Sequence, residues 1–325
     1  MEYVNFGATG LKVSRIAFGL GFRSQSDERE MQKIVERALE LGITLFDCAN
    51  IYGPMDDRRY AGVSEQVLGR ALKGRRDDVV ITSKVGGPVG DGSNDRGNSR
   101  YHIMREVEKS LTRLDMDHID IYLMHVRDST TPFAEAVGTM DDLVRQGKIR
   151  YWGVSNFAAW ELCKCLWTAD RLASTGPSCI QNPYSLLDRT LEDEVMLLCR
   201  EVGVAIEAYS PLAVGLLSGR YARGQRPPPD TLWGSRRKDE FEGALTQQIE
   251  AVIGEVVNIA ERTGKTATQV AINWVLSHPE VTVAVIGPSR LAHLEDNVGA
   301  IGWRLDPDDR ARLDAASDFS VPAIS

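Results

Sequence analysis

Four side chains in this 325-residue sequence could do acid–base chemistry as a unit: Asp47, Tyr52, Lys84 and His125. A tyrosine hydroxyl can hand a proton to a developing alkoxide, but its ordinary pKa is about 10. An ammonium beside it favours the phenolate and makes the tyrosine a better acid near neutral pH. Lys84 could be that ammonium, Asp47 its counter-charge, and His125 a second group polarising the same substrate oxygen. Taken singly, each has an ordinary role. Asp47 could cap a loop, Tyr52 could be a half-buried aromatic, Lys84 a solvated charge and His125 a hydrogen-bonded core histidine. What joins them is position, because three follow short apolar runs and Tyr52 comes one tight loop after Asp47, in Thr44-Leu45-Phe46-Asp47-Cys48-Ala49-Asn50-Ile51-Tyr52-Gly53.

The elements that must position them alternate along the chain. Short β-like pieces at 3–6 and 12–14, separated by Thr9-Gly10, predict a small hairpin. Buried strands are then expected at 16–19, 43–46, 79–83, 119–124, 149–154, 178–180, 204–208 and 281–286, as brief apolar runs closed by a turn signal. Between them lie helix patterns at 28–41, 64–72, 100–114, 132–146, 158–169, 191–202, 245–262 and 267–276, with two more at 291–300 and 308–316. Met31, Ile34, Val35, Ala38 and Leu39 show the helical spacing in the first of these. A long irregular segment, 212–242, contains Pro227-Pro228-Pro229.

Eight strands alternating with helices predict a (β/α)8 TIM barrel, with an N-terminal β-hairpin and extra C-terminal helices, as one domain over 1–325. An eight-stranded doubly wound open sheet is the competitor. No Gly-x-Gly-x-x-Gly follows the first strand, and the glycines at 86–92 fit neither that motif nor a P-loop. In a barrel the strand ends converge on one rim. There the catalytic four would meet Ser155, Asn156, Gln181, Tyr209, Ser210 and Gly287.

Bulk properties exclude other classes. A formal charge of −8 argues against a nucleic-acid or anionic-membrane binder. No apolar run approaches the roughly 18 residues of a membrane span. The opening residues lack a signal-peptide pattern, and five cysteines show no framework spacing, so a cytoplasmic protein is expected. The five histidines show no paired metal spacing, and Cys163-x-Cys165 places two thiols on different sides of a helix. No metal is expected.

Several segments, each at an expected strand end and all in order, resemble the aldo-keto reductase superfamily over nearly the whole chain. They are Phe46-Asp47-x-Ala49-x-x-Tyr52-Gly53, Ile81-Thr82-Ser83-Lys84, Ile119-Asp120-Ile121-Tyr122-Leu123-Met124-His125, Gly153-Val154-Ser155-Asn156-Phe157, Gln181-Asn182-x-Tyr184-Ser185-Leu186 and Ala208-Tyr209-Ser210-Pro211-Leu212. The resemblance implies an NADP(H)-dependent oxidoreductase interconverting an aldehyde, ketone or sugar with its alcohol. Tyr52 would be the acid/base, Lys84 with Asp47 would tune it, and His125 would orient the carbonyl. Ser155, Asn156 and Gln181 would hydrogen-bond the nicotinamide carboxamide, Tyr209 would stack on its ring, and Ser210 and Leu212 would meet the pyrophosphate. Gly287, Ser289, Arg290, Asp296 and Asn297 would hold the adenosine end. Ser289 and Arg290 suit a 2′-phosphate, which favours NADP(H) over NAD(H), although His293 stands where the family often has Gln or Arg.

The small-molecule substrate would lie among loops after the strands, with Phe22, Arg23, Arg127 and Trp233 as candidates and 212–242 as a lid. Asp120, inside its strand, reads as structural. Potassium-channel β subunits are similar to the same family and share the style of segment running from Ser210-Pro211-Leu212 to Tyr221. They suggest a second reading, a cofactor-binding regulatory or redox-sensing subunit with slow turnover. A homo-oligomer is allowed, although no surface in the sequence is marked for it or for a protein partner.

Overall fold

The structure is a computed structural model that describes residues 1–22, 25–229 and 231–319. Strands β1 (Tyr3–Asn5) and β2 (Lys12–Ser14) form the antiparallel hairpin. Eight further strands follow: β3 (Ile16–Gly19), β4 (Leu45–Asp47), β5 (Val80–Val85), β6 (Ile119–Met124), β7 (Ile149–Ser155), β8 (Cys179–Pro183), β9 (Ala205–Tyr209) and β10 (Val281–Ile286). All are parallel, and β10 pairs with both β9 and β3, closing the barrel in chain order.

Helices α1 (Glu28–Glu40), α2 (Val63–Ala71), α3 (Arg100–Leu114), α4 (Phe133–Arg145), α5 (Ala159–Leu172) and α6 (Val195–Val202) alternate with the strands. After β9 come two short turns of helix, α7 (Leu232–Ser235) and α8 (Phe241–Ala244), then α9 (Gln247–Thr263) and α10 (Ala267–Ser277). Helices α11 (Leu291–Val298) and α12 (Pro307–Ala316) follow β10. The expected TIM barrel with its hairpin and additional C-terminal helices is what forms. No described helix is long and apolar enough to cross a membrane.

Local signals explain the helix ends. Asp27 caps α1 by accepting from the Arg29 and Glu30 amides, and Thr266 with Gln269 forms a capping box on α10. Gly203 ends α6 at φ 73°, a left-handed position that costs glycine nothing.

The core has two layers. Outward strand residues such as Phe18, Phe46, Tyr122 and Ile206 pack under the helices. Inward residues Ala17, Leu45, Ile121, Leu123, Cys179, Ala205, Val283 and Val285 fill the barrel. The alternation follows from the period of two along a strand. Phe6 and Val13 of the hairpin region join the inner cluster, and the Ala8 amide donates to Gly203 O at 2.7 Å, so the hairpin plugs the N-terminal end. The opposite end opens into a cleft.

Several strands run further than the sequence predicts. The segment expected to stop at Ser83 continues through Lys84 to Val85, and that expected to stop at Ile180 continues to Pro183. The reason is that inward polar side chains here are satisfied inside the barrel, so polarity does not end the ladder. Asp120 is structural as expected, since its carboxylate accepts from the Ile81 amide at 2.8 Å and pairs with Arg76 at 2.7 Å.

Gly153 on β7 marks the tightest point of the inner packing. A Cβ there would lie 2.5 Å from both the oxygen and the sulfur of Cys179 and 2.9 Å from Leu123. A backbone oxygen cannot yield to it. Gly153→Ala is therefore expected to cost about 1–3 kcal/mol, read as a lower urea midpoint with an unchanged denaturant slope.

Candidate active site

At the C-terminal end of the barrel the strand termini open into a cleft of about 910 Å³. Asp47 is the last residue of β4, and Lys84 projects inward from β5 beside it. The Lys84 ammonium is 0 % exposed, pairs with Asp47 Oδ2 at 2.6 Å, and donates to Cys48 O at 3.0 Å. Burial by itself would lower the pKa of Lys84, but the Asp47 charge reverses this and raises it above the ordinary lysine value. The amine is thus a fixed cation.

Above it stands Tyr52, with Lys84 Nζ 4.7 Å from the ring centroid. Its loop is shaped locally. The Tyr52 amide bonds Ala49 O at 3.2 Å, and a Cβ on Gly53 would sit 2.1 Å from Tyr60 O. Only glycine lets residues 53 and 60 cross there. His125, just past β6, meets Tyr52 edge to face, with the hydroxyl 3.2 Å from Nε2. Two hydrogen-bonding groups therefore converge on one spot in the cleft wall, enough to hold a single oxygen atom. Ser83, beside Lys84, donates to Glu65 at 2.5 Å, and Arg113 of α3 pairs with the same buried carboxylate. That clamp ties β5 to α2 and α3.

Strands β7 to β9 furnish the next wall. Asn156 takes a left-handed φ of 60°, which asparagine tolerates better than most residues. Its amide nitrogen donates to His125 O at 3.0 Å, and its amide oxygen accepts from the Tyr209 hydroxyl at 2.8 Å. Asn156 thereby braces His125 and Tyr209 at once. Gln181, paired in register with Glu207, donates from one nitrogen to Asp47 Oδ1 at 2.9 Å and to Glu207 Oε2 at 2.7 Å. Asp47 and the ionised form of Glu207 can only accept, so they fix the amide with its NH2 towards them. Burial, then repulsion from Asp47, pushes the Glu207 carboxyl up to about 7.

The far end of the cleft lies between β10 and α11. Ser210, Leu212, Gly287, Ser289, Arg290, Asp296 and Asn297 all line the cleft, as do Ser155, Asn156, Gln181 and Tyr209 on the β7–β9 side. Gln25 donates to Ser289 O at 3.1 Å, and Ser289 Oγ lies 3.4 Å from His293 Nδ1. Asp296 accepts from Thr266 and Gln269, which joins α11 to the start of α10.

The residues expected to touch a substrate separate. Phe22 lines the cleft at a left-handed φ of 51°. Arg23 lies outside the described residues. Arg127 stacks over Phe133 at 4.3 Å, near Glu161, and does not line the cleft. Trp233 is buried against Phe241, donating from Nε1 to Val214 O at 3.0 Å, and is a packing residue of the 212–242 segment. Sequence reasoning missed Gln25, Arg220 and Arg237, which line the cleft, and Glu207 beneath it. Glu207 had a signal, as a lone carboxylate two residues before Tyr209 in an otherwise apolar strand.

The aldo/keto reductase family profile matches residues 15–318, and the chain belongs to that family, whose members are generally NAD(P)-dependent oxidoreductases acting on small molecules. It is 38% identical to the uncharacterized oxidoreductase YrpG of Bacillus subtilis (strain 168) over 314 residues, covering 94% of this chain and 93% of the relative. It is 33% identical over 309 residues to a probable voltage-gated potassium channel subunit beta of Arabidopsis thaliana, covering 93% and 91%. A protein of the same description from Oryza sativa subsp. japonica is 32% identical over 307 residues, with the same coverage.

The raised carboxyl of Glu207 has a stability consequence. Its unfolded value is near 4.5 and its folded value about 7, so the unfolded chain releases the proton first. Stability should fall as pH rises between those values and stay low above them. Glu207→Gln is expected to remove that loss, worth about 3 kcal/mol at most. The gain in melting temperature over wild type should be larger at pH 8 than at pH 5.

Proposed function

We propose that this chain is an NADP(H)-dependent oxidoreductase that interconverts a carbonyl (aldehyde, ketone or sugar) and the corresponding alcohol, with Tyr52 as proton donor and acceptor. The observation that carries the reading is the pairing of the Tyr52 hydroxyl with His125 Nε2 at 3.2 Å, over a buried Lys84–Asp47 ion pair, in the wall of a cleft. A substrate oxygen received between Tyr52 and His125 would be polarised by both. As negative charge develops on that oxygen, the Tyr52 proton passes to it. The Lys84 ammonium offsets the phenolate left behind, and Asp47 keeps that ammonium in place. In the oxidising direction the same groups take the alcohol proton.

The cleft suits a dinucleotide. Its lining runs from Asp47 and Tyr52 at one end to Ser289, Arg290 and Asn297 at the other. Ser155 and Gln181 would receive the nicotinamide carboxamide, with the committed amide nitrogen of Gln181 leaving its oxygen as acceptor. Tyr209 would lie against the ring, Ser210 and Leu212 near the pyrophosphate, and Gly287, Asp296 and Asn297 around the adenosine. The Ser289 hydroxyl and Arg290 guanidinium are good donors to a 2′-phosphate. When bound, the cofactor supplies or accepts the hydride at nicotinamide C4.

The names borne by the two plant relatives favour a second reading, a regulatory subunit with slow turnover. Fast turnover with ready cofactor exchange would reject it, and nicotinamide retained through purification with little turnover would support it.

Two substitutions test the main reading. Tyr52→Phe should lower turnover of NADPH with a panel of small aldehydes by about 10²–10⁴-fold, while NADPH binding followed by fluorescence is kept. Arg290→Leu should weaken NADPH binding by roughly 10–100-fold, as expected for one charge-assisted hydrogen bond, and leave NADH binding nearly unchanged. Equal losses for both cofactors would reject the 2′-phosphate role.

A further inference from the structure

Below the cleft floor the barrel interior holds a second carboxylate to which the proposed chemistry gives no task. Glu207 is 0 % exposed, and its Oε2 accepts from Gln181, whereas Oε1 has no hydrogen-bond partner among the described residues. We propose that Glu207 sets the charge beneath the nicotinamide end of the cleft, so that its ionised form favours the oxidised, cationic ring over the reduced, neutral one and its protonated form does not. The inference rests on the reading that a nicotinamide cofactor occupies this cleft.

Strand geometry places the charge. Glu207 and Tyr209 are two apart on β9, and the inner packing cluster holds Ala205 and Tyr209. Residues at i and i+2 share a strand face, about 7 Å apart along the strand. Glu207 therefore lies one interior layer below Tyr209, and Gln181 connects it to Asp47 in the cleft floor.

The surrounding groups compensate this carboxylate only in part, since burial and Asp47 oppose its ionised form while the Gln181 amide, the Lys84 charge and the Cys179 thiol favour it. From β10 the facing residue is Val283, which is apolar. From β8 come Gln181 and Cys179, and burial pushes the Cys179 thiol well above its ordinary value, so it stays neutral. From β4 comes Asp47, which repels a second negative charge, and from β5 comes Lys84, whose ammonium is already matched to Asp47 at 2.6 Å. An ionised Glu207 thus gains from positive charge placed in the cleft above it. At about 7–10 Å and an effective dielectric near 20, a unit charge at that distance changes relative affinity by roughly 10–50-fold. With the carboxyl pushed up to about 7, the change falls around neutrality. By linkage, binding of the cationic form should release a proton from Glu207, and binding of the neutral form should not.

The test is the dissociation constant of NADP⁺ and of NADPH, measured from pH 5.5 to 8.5 on wild type and on Glu207→Gln. The 2′-phosphate is common to both cofactors, so its own titration cancels in their ratio. In wild type the NADPH-to-NADP⁺ ratio of dissociation constants should rise about tenfold or more across neutrality, and in Glu207→Gln it should stay flat. A purely structural role for Glu207 would move both constants together. A flat wild-type ratio, or a rise that persists in Glu207→Gln, overturns the inference while leaving the cofactor reading intact. Failure of either cofactor to bind overturns that reading and the inference with it. Calorimetry of wild type in two buffers of different ionisation enthalpy gives a second arm that needs no variant. Near pH 7, NADP⁺ binding should release a proton fraction that NADPH binding does not, and equal release overturns the inference.

Discussion

An ammonium with no access to water has to bring its counter-charge and hydrogen bonds with it, and much of the rim follows from how Lys84 meets that demand. Its nitrogen donates to Asp47 and the Cys48 carbonyl and lies 4.7 Å from the centre of the Tyr52 ring. Isolated burial of either charge would cost several kcal/mol. The pair is tolerable because Asp47 has a second oxygen held by Gln181, so its lone pairs are met on both sides. Four strands, β4, β5, β8 and β9, are thereby linked through one buried polar chain from Lys84 to Glu207. Such a chain fixes geometry more than it adds stability, since a low-dielectric network has few satisfied alternatives.

Barrel closure makes that chain available. Residues 47 and 181 are 134 positions apart and touch only because the sheet closes through β10 onto β3. The inner cluster of small and branched side chains holds the strands at a fixed spacing below the polar layer. Helices α2 and α3 then secure β5 through Glu65, Ser83 and Arg113, a buried set next to Lys84. The polar rim rests on a stiff floor, and residues of the irregular segment beyond β9 line the cleft, with Trp233 and Phe241 of that segment packed against each other.

Much of this is legible in the sequence. Strand and helix order, the hairpin, and the residues at strand ends follow from alternation and from turn residues such as Gly10 and Gly203. Boundaries were less legible. Lys84, Gln181 and Asn182 lie inside strands although polarity suggested an end, because the barrel interior accepts them. Trp233 and Arg127 looked like pocket residues from their loop positions. Their rings and charges are instead spent on Phe241, Phe133 and Glu161, contacts that sequence position does not reveal.

The sequence by itself determined the alternating pattern, the family motifs and the polar residues at the strand ends, because periodicity and residue chemistry are local properties. It did not determine that Asn156 would brace both His125 and Tyr209, or that Gln181 would stand between two carboxylates. Nor did it show that Glu207 would be buried with an unmet oxygen. Those facts depend on which strands become neighbours, on their register, and on which residues share an interior layer. Only the closed barrel decides these, since it brings side chains far apart in the chain to within a hydrogen bond of one another in a medium where an unpaired charge is costly.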